Sequence, residues 1–111
     1  MPSTNLGALE LTILLSVARL GDDAYGLAVR RDVAARTSRD YSVGAVYTTL
    51  ERLETKAFVI SHMAEPLSTR GGRSRRQFKI TAAGQRALRQ AERVAKSVWA
   101  GVGSFLNPET A

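Results

Sequence analysis

The sequence contains no cysteine and only one histidine among its 111 residues. The absence of cysteine excludes disulfide bonds, thiolate metal sites and a cysteine nucleophile. The single histidine, His62, has no second histidine or acidic cluster near it in sequence, which disfavours a metal site or an acid–base pair. Gly71 and Gly72 lack the following Lys-Ser or Lys-Thr of a phosphate-binding loop. We therefore expect no metal, no cofactor and no catalytic residue, and predict that the protein is not an enzyme.

Acidic residues are absent from residues 66–91. The whole chain has 16 Lys and Arg against 10 Asp and Glu, for a formal net charge of +6. An ordinary solvated face mixes both signs, so a basic block without acids indicates a polyanionic partner. Binding to a membrane surface would need cations beside a bulky apolar helix face, whereas these cations centre on a pair of glycines. The pattern favours double-stranded DNA as the partner and disfavours a membrane surface. The cations of the block are Arg70, Arg73, Arg75, Arg76, Lys79, Arg86 and Arg89.

Long apolar runs are also missing. The most apolar stretch, residues 6–20, contains Glu10 and Arg19 and is too short to span a bilayer. No positively charged segment precedes it, so we expect no secretory signal and a cytoplasmic protein. A chain of this length has room for a single domain with a modest core, which burial in a dimer would supplement.

Residues 42–56 have the spacing of an amphipathic helix. Ser42 is a suitable N-cap, and Val46, Leu50 and Leu53 fall on one buried stripe. Another face carries Ala45, Thr48, Thr49, Arg52 and Lys56. Small and hydroxylated side chains let a helix enter a major groove, where the two cations would reach phosphates or a guanine edge.

Two strand-like runs, residues 58–64 and 75–80, follow this helix and are joined by the loop that contains Gly71 and Gly72. A helix followed by such a hairpin, here called the wing (residues 58–80), is the plan of a winged helix-turn-helix. Two helices precede it, at about residues 6–20 and 24–37. In the second of these, Leu27, Ala28 and Val33 are expected to face the core, and Gly26 to be a position of close packing.

The last helix, residues 82–106, is predicted to begin after an N-cap at Thr81, with Gly84 allowing close approach to the hairpin. Its apolar residues recur every three or four positions, as in a heptad pattern. Gly101 and Gly103 weaken its far end, so we expect the helix to fray beyond about Trp99. The first helix is apolar nearly all round, so two of its sides must be buried. Its own domain would bury one side and a partner chain the other. We predict a mainly α fold with a small β-hairpin: a winged helix-turn-helix domain over residues 1–81 and a long C-terminal dimerisation helix over residues 82–106 of the same unit.

These features, in this order, resemble the PadR-type transcriptional regulators, in the short form with a single C-terminal dimerisation helix. The similarity extends from about residue 6 to residue 88. Four positions depart from the usual family pattern: Thr48 replaces a common proline, Ala57 the glycine that usually ends the helix, Met63 a frequent aromatic residue and Gln77 a frequent tyrosine. The resemblance is carried by Leu6, Gly7, Leu9 and Glu10, then Ala24, Tyr25 and Gly26, then Ser42, Gly44, Val46, Tyr47, Leu50, Leu53 and Glu54, and finally Gly72, Arg73, Ser74, Arg75, Arg76, Ile80, Thr81 and Gly84.

The resemblance implies a two-fold dimer in which the last helix packs against the first helix of a second subunit. The residues expected at this interface are Leu9, Ile13, Leu88, Ala91, Ala95, Val98, Trp99 and Val102. Some members of the family hold aromatic ligands between subunits, which makes Trp99 a candidate contact for a small aromatic effector.

The function predicted from these observations is sequence-specific DNA binding by a dimeric repressor that occupies a pseudo-palindromic operator. The alternative is a winged helix that binds an acidic protein surface through its basic hairpin. Tyr47 would either contact a phosphate or pack beside the hairpin. The residues expected at DNA are Ser42, Val43, Gly44, Ala45, Tyr47, Thr48, Thr49, Arg52 and Lys56, together with Arg70, Arg73, Arg75 and Arg76 of the wing.

Overall fold

A computed structural model of the chain describes residues 5–64 and 75–106, with the backbone alone at positions 104 and 105. The helices are α1 (Ala8–Leu20), α2 (Gly26–Thr37), α3 (Val43–Thr55), α4 (Ala82–Trp99) and the short α5 (Gly103–Leu106), and the strands are β1 (Val59–Ala64) and β2 (Arg75–Ile80). A 3-10 turn, Gly21–Asp23, joins α1 to α2. The described residues are mostly helical and include an antiparallel hairpin, which confirms the predicted winged-helix fold.

The expected N-caps are present at both functional helices. Ser42 Oγ accepts a hydrogen bond of 3.1 Å from the Ala45 amide at the start of α3. Thr81 Oγ1 accepts one of 3.0 Å from the Gly84 amide at the start of α4. These bonds satisfy amides that have no partner within the helix. Just beyond α3, Ala57 has a φ of 63°, a left-handed conformation that glycine adopts without the steric penalty of a Cβ.

The hydrophobic core lies between α1, α2, α3 and the hairpin. The three residues predicted for the inner stripe of α3 are all buried. In α2 the prediction is correct for Val33 and wrong for Leu27, which is 54% exposed because it lies on the outer face of that helix. Core residues include Ile13, Leu14, Val17, Val29, Val33, Val46, Leu50, Leu53, Val59 and Phe78.

The hairpin pairs Val59 with Ile80 and, at its other end, Ala64 with Arg75. An isolated antiparallel bridge between Tyr25 and Gln77 pairs the segment before α2 with β2 at a single position. Successive side chains of a strand point to opposite faces. The buried Phe78 therefore shares its face with Arg76, while Arg75, Gln77 and Lys79 lie on the other.

Only the first half of α4 packs on the body of the domain. Ala83, Ala87 and Leu88 contact the core, whereas Val98 and Trp99 are 70% and 60% exposed. The helix expected over residues 82–106 ends at Trp99, the point beyond which it was expected to weaken, because the backbone becomes extended at Ala100 and Gly101 takes a φ of 81°. Within residues 5–64 and 75–106 no helix is long and apolar enough to cross a membrane.

Candidate nucleic-acid interface

The outer face of α3 is exposed along its whole length. Gly44, Thr48 and Arg52 are spaced four residues apart and form one exposed line, and Ser42 and Val43 are exposed at the N-terminal end. Gly44 has no side chain, Thr48 has a small hydroxyl and Arg52 has a guanidinium. A nucleic-acid groove could therefore approach the helix closely and still contact a cation. These five predicted residues are therefore all accessible on the outer side of α3 or at its N-terminal end.

Thr49 is buried, so its predicted place on the outer face is wrong. It lies three residues after Val46 and four before Leu53, which puts it on the same inner stripe. Its hydroxyl donates a 2.8 Å hydrogen bond to the carbonyl oxygen of Ala45, which satisfies the buried polar atom within the helix. Ala45 itself is only half-buried.

Tyr47 packs inside the domain, the second of the two roles considered for it. Its ring lies 6.3 Å from that of Phe78, at an interplanar angle of 59°. It also covers Gly26, where an added Cβ would be 2.2 Å from the Tyr47 hydroxyl oxygen. The prediction that Gly26 is a position of close packing is confirmed, and the contact holds α2 against α3.

Lys56 is held in an ion pair rather than on the outer face of α3. Its Nζ lies 2.8 Å from Glu10 Oε2 and donates a 3.0 Å hydrogen bond to the Asn5 carbonyl oxygen. Burial raises the pKa of Glu10, but hydrogen bonds from Lys56 and from the Gly7 amide outweigh it, so the net pKa lies below its ordinary value. The contact fixes the start of α1 to the end of α3. The expected approach of Lys56 to the DNA backbone does not fit this placement.

The two described wing arginines have different surroundings. Arg75 is exposed, and its guanidinium lies 4.0 Å from the centre of the Tyr25 ring. The guanidinium of Arg76 instead faces α3, where its Nη2 lies 2.7 Å from Glu54 Oε2. The prediction that Arg75 contacts DNA is thus compatible with its exposure, whereas the same prediction for Arg76 conflicts with its pairing to a carboxylate. Arg70 and Arg73 lie outside the described residues.

Two features of the interface were not predicted. Glu51 is exposed on the outer face of α3, three residues after Thr48, a spacing that was visible in the sequence. Arg30 of α2 donates a 2.6 Å hydrogen bond from Nε to the Tyr41 carbonyl oxygen and lies 3.2 Å from Asp40 Oδ1. This second contact fixes the turn that leads into α3. In the described part of the chain, no group of three or more His, Cys, Asp or Glu side chains is suited to hold a metal ion.

The residues predicted for a dimer interface fall into three groups. Ile13 is completely buried within its own domain, so its assignment to the interface is wrong, and Leu9 and Leu88 are partly buried against the same core. Val102 follows the end of α4 in a turn and does not continue the helical stripe. The residues that α4 exposes or half exposes along one side are Ala91, Ala95, Val98 and Trp99.

An open apolar groove of about 520 Å³ lies between α1 and α4. Trp99 forms one wall of this groove. On α1 the large apolar side chains that reach the surface are Leu15, which is exposed, and Leu11, which is half-buried, rather than Ile13. The groove is lined by Asn5, Leu6, Leu11, Ala87, Gln90, Ala91, Val94, Ala95, Val98 and Trp99.

Solved structures with the same fold include several bacterial regulators. A PadR family transcription regulator from Clostridium difficile has a TM-score of 0.75 and 21% identity, over 91% of this chain and all of that one. A PadR-like transcriptional regulator from Bacillus cereus has a TM-score of 0.73 and 22% identity, over 91% and 93% of the two chains. A PadR family regulator from Eggerthella lenta has a TM-score of 0.66 and 26% identity, over 90% and 88%.

The comparison with curated protein sequences gives no match. The family model of the PadR-like transcriptional regulators matches residues 14–90, which include α2, α3 and the hairpin. Because the match extends over most of the sequence, the protein belongs to the PadR-like family of transcriptional regulators.

Proposed function

We propose that the protein is a cytoplasmic, sequence-specific DNA-binding regulator that places α3 in the major groove. The observation that carries this proposal is the exposed line of Gly44, Thr48 and Arg52 on a helix that is fixed from two sides. The contact of Tyr47 with Gly26 fixes α3 to α2, and the ion pair of Glu54 with Arg76 fixes it to the wing. A rigidly supported helix with a small, polar and cationic outer face suits recognition of base edges.

The active form is a homodimer in this proposal. Within residues 5–64 and 75–106 the apolar side of α4 is largely uncovered, since Val94, Val98 and Trp99 are all at least half exposed. Exposed apolar surface of this kind on a small protein indicates an interface with another molecule. A second copy that contributes the same surface would form a closed two-fold dimer and present a second α3 to the DNA. Two such helices would read the two halves of a pseudo-palindromic operator.

The dimer acts as a repressor in this proposal, because a protein that occupies an operator overlapping a promoter excludes the polymerase. A small aromatic effector would bind in the groove beside Trp99, where stacking on the indole ring provides affinity. The sequence has a single tryptophan, so its fluorescence reports directly on this groove. Quenching or a spectral shift with planar phenolic or cationic compounds would support the effector, and an indifferent signal would contradict it.

Selection of fragments from a random-sequence duplex pool tests the DNA-binding proposal. We expect successive rounds with the purified protein to enrich one inverted repeat, because two copies of α3 related by a two-fold axis read identical half-sites. Recovery of unrelated sequences at every round would contradict sequence-specific binding. It would instead favour the alternative, a winged helix that uses its basic hairpin to bind an acidic protein surface.

A further inference from the structure

We infer that Arg76 is a positioning residue: it sets the angle between the wing and α3, and thereby the ability of the protein to discriminate its operator from other DNA. The inference rests on the proposed DNA binding and adds a role for one residue within it. Arg76 does not need to touch DNA in this role.

The guanidinium of Arg76 joins three elements. Its Nη2 lies 2.7 Å from Glu54 Oε2 on α3, and its Nε donates a 3.0 Å hydrogen bond to Ser61 Oγ on β1. The Ser61 hydroxyl in turn donates to Glu54, so the three side chains form a closed set of hydrogen bonds. The guanidinium also lies 5.1 Å from the centre of the buried Phe78 ring. Charged hydrogen bonds that also restrain one another fix an orientation better than a single pair.

The surroundings of Arg76 favour such a role over a direct DNA contact. Its side chain is 31% exposed and that of Glu54 is 33% exposed, so both are partly withdrawn from water. A second carboxylate, Glu51, lies 3.9 Å from its Nη1. A guanidinium with two carboxylates beside it belongs to a group whose net charge is negative, so it attracts a phosphate weakly. Removal of Arg76 would leave both carboxylates unpaired beside the wing.

Arg75 provides a natural comparison, because it is adjacent in sequence and carries the same charge. It leaves β2 on the opposite face, stacks on Tyr25 and, among the described residues, has no carboxylate partner. We assign the phosphate contact to Arg75 and the orientation of the wing to Arg76. Phosphate contacts raise affinity for every sequence, whereas base readout depends on the angle at which the helix enters the groove. The two neighbours should therefore affect different measurements.

The test compares Arg75→Gln with Arg76→Gln on the selected operator and on a scrambled duplex, across a series of salt concentrations. We expect Arg75→Gln to weaken binding to both duplexes equally. It should also lower the slope of the log of the binding constant against the log of the salt concentration by about 0.9 in magnitude, the value for one lost phosphate contact. We expect Arg76→Gln to leave the slope unchanged and to reduce the operator-to-scrambled affinity ratio by about tenfold, within the range of coupling between contacting groups. A fall in slope for Arg76→Gln equal to that for Arg75→Gln, or an unchanged ratio, would overturn the inference.

Glu54→Gln separates orientation from charge. If Glu54 merely repelled DNA, its neutralisation would tighten binding to both duplexes, and this outcome would overturn the inference. We expect instead the same loss of discrimination as for Arg76→Gln, and no further loss when both changes are combined, because each breaks the same contact. The reciprocal variant Arg76→Glu with Glu54→Arg keeps the net charge and should recover part of the discrimination.

Circular dichroism and thermal unfolding would verify that each variant folds. If the reciprocal variant does not fold, non-additivity of the two glutamine changes decides the question. If the wild-type protein fails to discriminate the two duplexes, this result refutes the proposed function and the inference with it. If the wild-type protein discriminates the duplexes and the Arg76→Gln variant does so equally well, only the inference is refuted.

Discussion

Gly84, in the first turn of α4, lies directly against the carbonyl oxygen of Phe58. A Cβ at position 84 would be 2.2 Å from that oxygen and 2.7 Å from Ile80 Cγ1. The same oxygen accepts a 3.0 Å hydrogen bond from the amide of Thr81, the N-cap of α4. The start of the C-terminal helix is thus joined to the base of the wing through a backbone contact, which confirms the close approach predicted for Gly84.

We predict that Gly84→Ala destabilises the protein by about 1–3 kcal/mol, because a methyl group there requires the helix and the hairpin to separate. Gly44→Ala is the matched control, since it lies in the first turn of α3 with its nearest neighbouring atom 4.0 Å from an added Cβ. The control should be neutral or slightly stabilising, as alanine favours helix more than glycine does. Equal stability of the two variants in urea titrations would show that the contact at Gly84 is not restrictive.

The pairing of Glu10 with Lys56 predicts a dependence of stability on pH. Because the folded protein lowers the pKa of Glu10 below its ordinary value of 4.5, this group stabilises the fold fully above that pH. Its contribution is lost as the pH falls through the lower pKa of the folded state. Glu10→Gln should therefore reduce the free energy of unfolding at neutral pH and reduce its fall between about pH 5 and pH 3.

Glu92→Gln is the control for this measurement. The pair of Glu92 with Lys96 is 3.7 Å long and largely exposed, so its loss should change neither the stability nor its pH profile appreciably. A pH profile for Glu10→Gln that parallels the wild-type profile would rule out the proposed contribution of Glu10.

Arg52 is the exposed cation in the line that faces outward from α3. If it reads a guanine, Arg52→Ala should reduce discrimination between the operator and a mutated operator by roughly 1–3 kcal/mol. Arg93→Ala, a change of the same kind at an exposed position of α4, should leave that ratio unaltered. Fluorescence anisotropy with the two duplexes provides the measurement. Equal losses on both duplexes for Arg52→Ala would reduce it to a phosphate contact.

Assembly is tested by a glutamate on the apolar side of α4. Val98→Glu should shift the protein to monomers, because a symmetric contact would bury two unpaired carboxylates at a cost of several kcal/mol. Leu27→Glu adds the same charge at a similarly apolar residue, 54% exposed on α2, and should remain dimeric. Sedimentation velocity distinguishes the outcomes. A stable folded monomer for the wild-type protein at micromolar concentration would be incompatible with the proposed dimer.

The sequence predicted well those features that depend on local spacing and backbone chemistry. The two N-caps, the inner stripe of α3 and the close contacts at Gly26 and Gly84 follow from rules that apply within a few residues. Thr49 was also within reach, since its spacing from Val46 and Leu53 places it on the inner stripe. Its hydroxyl suggested an outer position, but a threonine can satisfy that group on its own helix.

Contacts between distant segments could not be predicted in the same way. The partner of Arg76 is 22 positions earlier in the chain, and only the packing of the hairpin on α3 brings them together. Ile13 illustrates the same limit, because an all-round apolar helix does not indicate which side its own domain covers. The way in which the elements pack on one another decides both the partner of Arg76 and the burial of Ile13.

The most direct test of the proposed function is the ratio of affinities for the selected operator and for a scrambled duplex of the same composition, at one physiological salt concentration. We predict that the wild-type protein binds the operator about 10³-fold or more tightly, the lower end of the range for specific DNA-binding proteins. Equal affinities for the two duplexes would contradict sequence recognition by α3, however tightly each is bound.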